Sequence, residues 1–549
     1  MRQQDDGQHS EDDDHNQTRK DAAPTAAVRN PLDVLSGHIH VRYDRSAGRY
    51  STRYIGAAQN WGRHVGWITK GQLRVFVVVW VIVTATMAVS AQSPGDAGIG
   101  DDFYPGLGNG GYDVESYRIE VVVSDDLAAI TRAKTTLTAL ATQSLSSFNL
   151  DFLGMTVDAV RVNSADARIA REGREMTVTP QQTIPDGEAF VVEVEYHGVP
   201  GTDSDGDSLD FNNGWFHYGG GVLVASEPDG SAAWFPCNDH PLDKALFDFV
   251  IDVPAPYVAV ANGVLENVEK DGERIVYTWR MSHPMATYLT TVNINTFVEQ
   301  REVTDSGLVI RNYFPLAIAE QAAETFARQA EMIATFEPLF GPFPFDVYGV
   351  VVADVPLGFA LETQTISLFG RNVISGTATG SGASSESVIA HELAHQWFGD
   401  SLTPATWRDL WLNEGFATYA QALWTEATLG RSAADRMMVS FYSQIRSPLD
   451  AARGTAAPGD PPPDALFNRS VYLRGAWVLH ALRLQIGDEA FFDLLREYVS
   501  RFAYSNVTTQ DFIDLALEIS GDSGVPELLD RWIYGVPVPD VPQLGLFGS

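Results

Sequence analysis

The sequence predicts an α+β chain of several domains, in which an N-terminal β-sandwich or saddle-like domain precedes a mainly helical one. Three observations carry that expectation. The chain has 549 residues, more than one hydrophobic core fills, since domains divide beyond roughly 250 residues. From about Tyr112 to Phe297 apolar residues alternate with period two, and after about residue 315 they return at helical spacing. Within the helical part stands "HELAHQWFGD", residues 391 to 400, whose histidine spacing suits a helix.

Taken in order, residues 1–73 read as a disordered or cytoplasmic tail, opening with the charge-dense "QQDDGQHSEDDDHNQ". Residues 74–92 read as a transmembrane anchor or signal segment, because Val75–Ala91 runs for 17 residues without a charge. Arg63, Lys70 and Arg74 precede this segment while Asp96, Asp101 and Asp102 follow, which places the N-terminus in the cytoplasm and the residues after the segment outside. Cleavage near Ala91, giving a secreted product, is the alternative. The Gly/Asp-rich stretch 93–111 reads as a linker.

Residues 112–300 form the expected β domain, with "YRIEVVV", "FVVEVEY", "LFDFVIDVP" and "RIVYTWRM" as strands between turn clusters. Residues 301–540 form the helical domain, with "AEQAAETFARQAEMIATFEPLF" and "SVYLRGAWVLHALRLQIG" as helices. Two strands interrupt it, "DVYGVVVAD" (346 to 354) and "LGFALETQTISLF" (357 to 369), followed by a small-residue loop. Residues 541–549 are a C-terminal tail.

Composition narrows the function. A hydrophobic content of 45% is enough to fill several cores, and a formal charge of −34 argues against nucleic acid and anionic lipid headgroups as partners. The single cysteine, Cys237, excludes an intrachain disulfide and reads as a small buried hydrophobe. "DSDGD", Asp203–Asp207, lacks the glycine and glutamate of a calcium loop at the sixth and twelfth positions, and reads as a solvated acidic turn.

On a helix, His391 and His395 stand one above the other and share one ion, with Glu392 beside them as a general base. Such a pair also arises by chance, so a third ligand is required. Glu414 in "DLWLNEGFATYAQALW" follows His395 by 18 intervening residues, and a second antiparallel helix brings it to the ion. Two histidines and one carboxylate leave a coordination position open for water, the mark of a catalytic zinc rather than a structural one.

HELAH, 18 residues, then Glu within "WLNEGFA" resembles the zinc aminopeptidases related to aminopeptidase N and leukotriene-hydrolysing aminopeptidase. "AWFPCNDHPLDKALF" (233 to 247), "GFALE" (358 to 362) and "VYLRGAWVL" (471 to 479) match further motifs of that family in the same order. The resemblance covers about residues 110 to 540 and implies a thermolysin-like catalytic domain. It implies one Zn²⁺ per chain on His391, His395 and Glu414, with Glu392 as base and Tyr472 as oxyanion donor. Peptide substrates with a free N-terminus would be recognised by Glu362 and Glu227, and the backbone from Ala360 would pair with the peptide. A monomer is favoured.

Departures from the pattern are visible. "FALET" stands where the family commonly has Gly-Ala-Met-Glu-Asn, and His240 in "NDHP" replaces an acid, which reads as local packing. The large helical C-terminal domain of longer relatives is expected to be absent. Two competing functions remain at this point: a thermolysin-like endopeptidase, which needs neither Glu362 nor Glu227, and a catalytically silent membrane-anchored binding protein.

Overall fold

The computed structural model describes residues 93–201, 213–375, 384–446 and 457–547, with the backbone of a hairpin pairing His40–Asp44 and Arg49–Arg53. That hairpin falls within the stretch expected to be a tail without regular structure. Residues 1–30, the apolar segment Val75–Ala91 and the acidic turn Asp203–Asp207 lie outside the described residues. Among the described residues no helix is long and apolar enough to cross a membrane.

Alternation builds the β domain. Tyr112 and Val114 are buried, and then the buried set switches to Tyr117, Ile119, Val121 and Val123. A register shift between Val114 and Ser116 explains the change of parity, since one extra residue in a strand turns every later side chain to the other face. This strand, Tyr112–Val123, lies inside an eight-stranded sheet. It is parallel to Ala245–Pro254 and antiparallel to Ile130–Ala141. Two four-stranded sheets complete the domain, one of them holding Gly214–Tyr218, Gly221–Ala225, Val292–Asn295 and Val258–Ala261. Cys237 is buried, as expected of a lone cysteine.

The expected linker 93–111 is instead part of the packed structure. Phe103, Tyr104 and Leu107 are buried, and the Tyr104 hydroxyl donates to the carbonyl of Pro463 in the helical domain at 2.6 Å. Asp101 accepts from the Phe103 N–H at 2.8 Å and meets the buried ring of His240 at 3.1 Å, which makes His240 a packing residue. Its Gly/Asp content reflects tight turns between aromatic anchors rather than a spacer. The expected boundary at residue 300 also moves. Phe297–Val303 pairs along its whole length with Val309–Pro315, in a five-stranded sheet that also contains Val350–Ala353 and Ser367–Gly370. The sheet of the second domain therefore starts at Phe297.

The expected strand over 357–369 survives only as Ser367–Gly370. Ahead of it the chain folds back on itself: Leu361 and Leu368 exchange backbone hydrogen bonds at 3.0 and 2.7 Å, and Thr365 adopts φ +70°. The long helix expected over 319–340 divides into Ala319–Thr325 and Gln329–Phe340. At the C-terminus, Val541 is buried and its N–H bonds to the Leu546 carbonyl at 2.8 Å, so the expected tail is partly tied down.

Candidate active site

The ligand helix, Ser385–Ala394, begins where Ser384 Oγ accepts the Ser387 N–H at 3.2 Å, satisfying one of the orphan donors of a helix start. Val388 through Ala394 are all buried, so the helix is a core element. It ends with His395 at the C-cap, still in helical conformation and with its N–H bonded to the His391 carbonyl at 3.3 Å. The two rings therefore keep the spacing of one helical turn, with centroids 4.7 Å apart.

The chain returns through Gly399, at φ +127°, where a Cβ would lie 3.3 Å from His395 Nδ1, into the helix Trp411–Leu429. Every residue from Trp411 to Ala420 is buried, including the polar Asn413, Glu414 and Thr418, so this helix start is a core element. Glu414 lies in its first turn. A third helical segment, Gly475–Arg501, broken by a kink at Gly487 (φ +81°), crosses so closely that a Cβ on Gly475 would sit 2.8 Å from the Gly415 Cα. Only glycine at both positions permits that approach. It draws in Tyr472, which occupies a π-helical turn, Ser470–Arg474, at the head of the third helix. Arg474 holds the turn by donating to the carbonyls of Trp532 at 2.8 Å and Arg531 at 3.1 Å.

These elements bring three donor atoms to one point. His391 Nε2 lies 3.1 Å from Glu414 Oε2 and 3.1 Å from His395 Nε2, while His395 Nε2 lies 3.6 Å from Glu414 Oε2. Tetrahedral zinc with bonds of about 2.0–2.1 Å separates neighbouring donors by about 3.3 Å, so the triangle fits that ion. The tautomer also fits. His395 Nδ1 lies 3.0 Å from the Phe398 carbonyl, so it carries the proton and leaves the Nε2 lone pair for the metal.

Burial pushes the Glu414 carboxyl up, but hydrogen bonds with His391 and His395 outweigh it and hold the group at about 2. Burial lowers the basicity of His391. Both effects favour the deprotonated forms that bind metal, whereas at His395 the surrounding carboxylates outweigh burial and raise the basicity of the ring, so a metal there would have to displace a proton.

Three more carboxylates surround the triad. Glu362 Oε1 lies 3.9 Å from His395 Nδ1, and Glu362, Glu392 and His395 form a second convergent group. Burial, followed by the charges of Glu362 and Glu414, raises the Glu227 carboxyl well above its ordinary range. Glu392 is raised mainly by burial, and Glu362 likewise. Burial and mutual repulsion thus bias Glu227, Glu362 and Glu392 toward their protonated forms, and a cation among them would favour the ionised ones. Tyr472 stacks at 17° over His391, with centroids 6.2 Å apart, and burial and the charge of Glu414 keep its hydroxyl protonated.

Glu362 and Glu392 thus gather with the triad, Tyr472 stacks on His391, Glu227 is close enough to feel the charges of Glu362 and Glu414, and Ala360 stands two residues before Glu362. The sequence reading missed what fixes the turn at Glu362. Gln396 donates through Nε2 to the Glu362 carbonyl at 3.1 Å and accepts the Thr365 N–H at 2.8 Å. Asn262 and Gly263, from the β domain, hold Gln364 and Thr365 from the other side at 2.9 and 2.8 Å. A glutamine directly after the second ligand histidine, inside an otherwise apolar run, was the available signal for Gln396. No local pattern marks Asn262.

Comparison with known proteins agrees with this geometry. Residues 324–532 match the Peptidase family M1 domain, and residues 114–289 match the Peptidase M1 N-terminal domain. The chain is 28% identical over 336 residues to Aminopeptidase M1 of Arabidopsis thaliana, covering 58% of this chain and 37% of that one. With Aminopeptidase B of Mus musculus it shares 30% identity over 319 residues, covering 56% and 46%. The chain therefore spans less than half the length of these curated relatives. Among solved structures, the M1 zinc metallopeptidase of Deinococcus radiodurans superimposes with a TM-score of 0.70 at 30% identity, covering 81% of this chain and 99% of that one. A variant of the same protein bound to a Tyr-Ser-Ala substrate gives a TM-score of 0.72 at 30% identity and the same coverage. With both domains matched in order and a solved relative covered almost end to end, the chain belongs to peptidase family M1, whose catalytic metal is zinc.

Proposed function

We propose that this protein is a zinc aminopeptidase that removes the N-terminal residue of peptides, with its catalytic region outside the cytoplasm. The observation that carries the reading is a pair of carboxylates from different domains, Glu362 and Glu227. Each has an Oε1 atom buried without a hydrogen-bond partner among the described residues, close to the triad. Leaving such atoms unpaired is unfavourable, and an α-ammonium group supplies the donors and the charge they lack. An ammonium group anchored there limits how far a peptide enters, which restricts cleavage to its first bond.

His391, His395 and Glu414 would hold the zinc, which when bound polarises the scissile carbonyl and makes water a stronger acid. Glu392 takes the proton from the attacking water and passes it to the leaving amine. Tyr472 donates its hydroxyl proton in a hydrogen bond to the developing oxyanion. Ala360, whose backbone groups make no hydrogen bond among the described residues, pairs with the peptide backbone. The extracytoplasmic location rests on the apolar segment Val75–Ala91 and the charges flanking it.

The test compares one peptide with a free or an acetylated N-terminus, in wild type and in Glu362→Ala. Wild type should prefer the free form strongly, and Glu362→Ala should lose roughly 30-fold or more on it while keeping zinc and fold. Efficient cleavage of the acetylated peptide at an internal bond would replace the aminopeptidase reading with an endopeptidase.

A further inference from the structure

Recognition of an ammonium group by Glu227 demands a rigid loop, because a binding constellation must be held within about 0.5 Å of its productive geometry. The loop follows the strand Gly221–Ala225 and closes with a hydrogen bond from the Gly230 N–H to the Ser226 carbonyl at 2.7 Å. One side chain outside the loop then binds it twice. The two hydrogens of Asn213 Nδ2 go to the Glu227 carbonyl at 3.0 Å and to Asp229 Oδ1 at 3.1 Å. With two acceptors facing it, that atom must be the amide nitrogen.

Asp229 cannot swing away, because its other oxygen, Oδ2, accepts from Arg174 Nη1 at 2.9 Å. Arg174 is itself locked. Its Nε donates to Asp151 Oδ1 at 3.1 Å, and its Nη2 lies 3.6 Å from Asp239 Oδ2. All four charged groups are buried, so the attraction is little weakened by solvent. Backbone packing removes the remaining freedom. A Cβ on Gly230 would lie 2.8 Å from Asn213 Cγ and 2.7 Å from the Gly214 nitrogen, which shows how tightly the amide is wedged. The hydrogen bonds of Asn213 go to Glu227 and Asp229, and to none of His391, His395, Glu392, Glu414 or Tyr472.

We propose that Asn213, anchored through Asp229 to Arg174, is a positioning residue for Glu227 and thereby sets the preference for substrates with a free α-ammonium group. The inference rests on the aminopeptidase reading and assigns part of its selectivity to a β-domain residue that touches neither metal nor substrate. Removing the amide frees the Glu227 carbonyl, lets the carboxylate wander, and weakens the ammonium contact without disturbing the reacting atoms.

The experiment measures kcat and KM for the free and acetylated forms of one peptide substrate with wild type, Asn213→Ala, Glu227→Ala and the double variant. Zinc content and thermal unfolding are followed for each. Asn213→Ala should lose about tenfold in kcat/KM on the free peptide, mostly through KM, and nothing on the acetylated one. In the Glu227→Ala background the same substitution should change kcat/KM by less than about twofold, because a residue that acts through Glu227 has nothing left to position. Equal losses in both backgrounds, or on both substrates, would make Asn213 merely structural and overturn the proposal, as would an Asn213→Ala enzyme as selective as wild type. A wild type that fails to discriminate free from acetylated peptide overturns the aminopeptidase reading and this proposal with it. If the alanine variant does not fold, Asn213→Ser, whose hydroxyl is too short to span both acceptors, provides the same comparison.

Discussion

Replacing Gly475 with alanine places a methyl group 2.8 Å from the Gly415 Cα, 3.4 Å from its nitrogen and 3.6 Å from the Trp411 carbonyl oxygen. Carbon atoms pack at about 3.5–4.0 Å, so the helical segments Trp411–Leu429 and Gly475–Arg501 must part locally by about 0.7–1.2 Å. The neighbour is backbone inside a buried helix and cannot move aside as a flexible side chain would. Overpacking of this kind costs about 1–3 kcal/mol, and alanine's helical preference over glycine returns about 1 kcal/mol, leaving a folded protein. Activity should suffer more than stability. Tyr472 lies three residues before Gly475 and Glu414 directly before Gly415, so the displacement falls on the two elements that must meet across the reacting carbonyl. A misplacement of about 1 Å costs about 10²-fold, and kcat on an aminoacyl-amide fluorogenic substrate should fall by about ten- to a hundredfold with little change in KM. Gly415→Ala, adjoining the ligand, should in addition weaken zinc retention. A Gly475→Ala enzyme with kcat within about twofold of wild type would show that the helices absorb the methyl elsewhere, and would refute the coupling argued from this contact.

Glu392→Gln should retain one zinc per chain yet lose several orders of magnitude in turnover, whereas His395→Ala should lose both; metal analysis beside single-substrate kinetics separates the two. Tyr472→Phe keeps the ring against His391 and removes one hydroxyl, so kcat should fall by about 10²- to 10³-fold at nearly constant KM, and a rise in KM alone would make it a binding residue. Chelation should abolish activity and Zn²⁺ should restore it, with unrestored activity pointing to a metal that also holds the fold together.

What the sequence alone determined is whatever follows from spacing along a single element. His391 and His395 share a helical face because 3.6 residues make a turn, and the strand alternation from Tyr112 onward follows from a period of two. Glu414 was readable because a helix, a short connection and a second helix leave little choice of position. Tyr472, Glu362 and Glu227 were legible only through resemblance to a family, since nothing local distinguishes them from core or surface residues. The tertiary structure decided everything that depends on two distant backbones meeting. A bulge at Glu115, invisible in composition, reversed the faces of a strand. The run "LGFALETQTISLF" has strand character throughout, yet Gln396 and Asn262 compete for its backbone groups and bend it into the turn that presents Glu362. The stretch 93–111 has a linker's composition but buried aromatic anchors, one of which, Tyr104, bonds to Pro463 in the helical domain. Gly415 and Gly475 stand 60 positions apart, and their contact becomes a constraint only once two helices cross without side chains between them. The network from Arg174 through Asp229 and Asn213 to Glu227 joins residues from separate strands and turns, and a hydrogen bond between such groups is a property of their distance in space, which no one-dimensional pattern records.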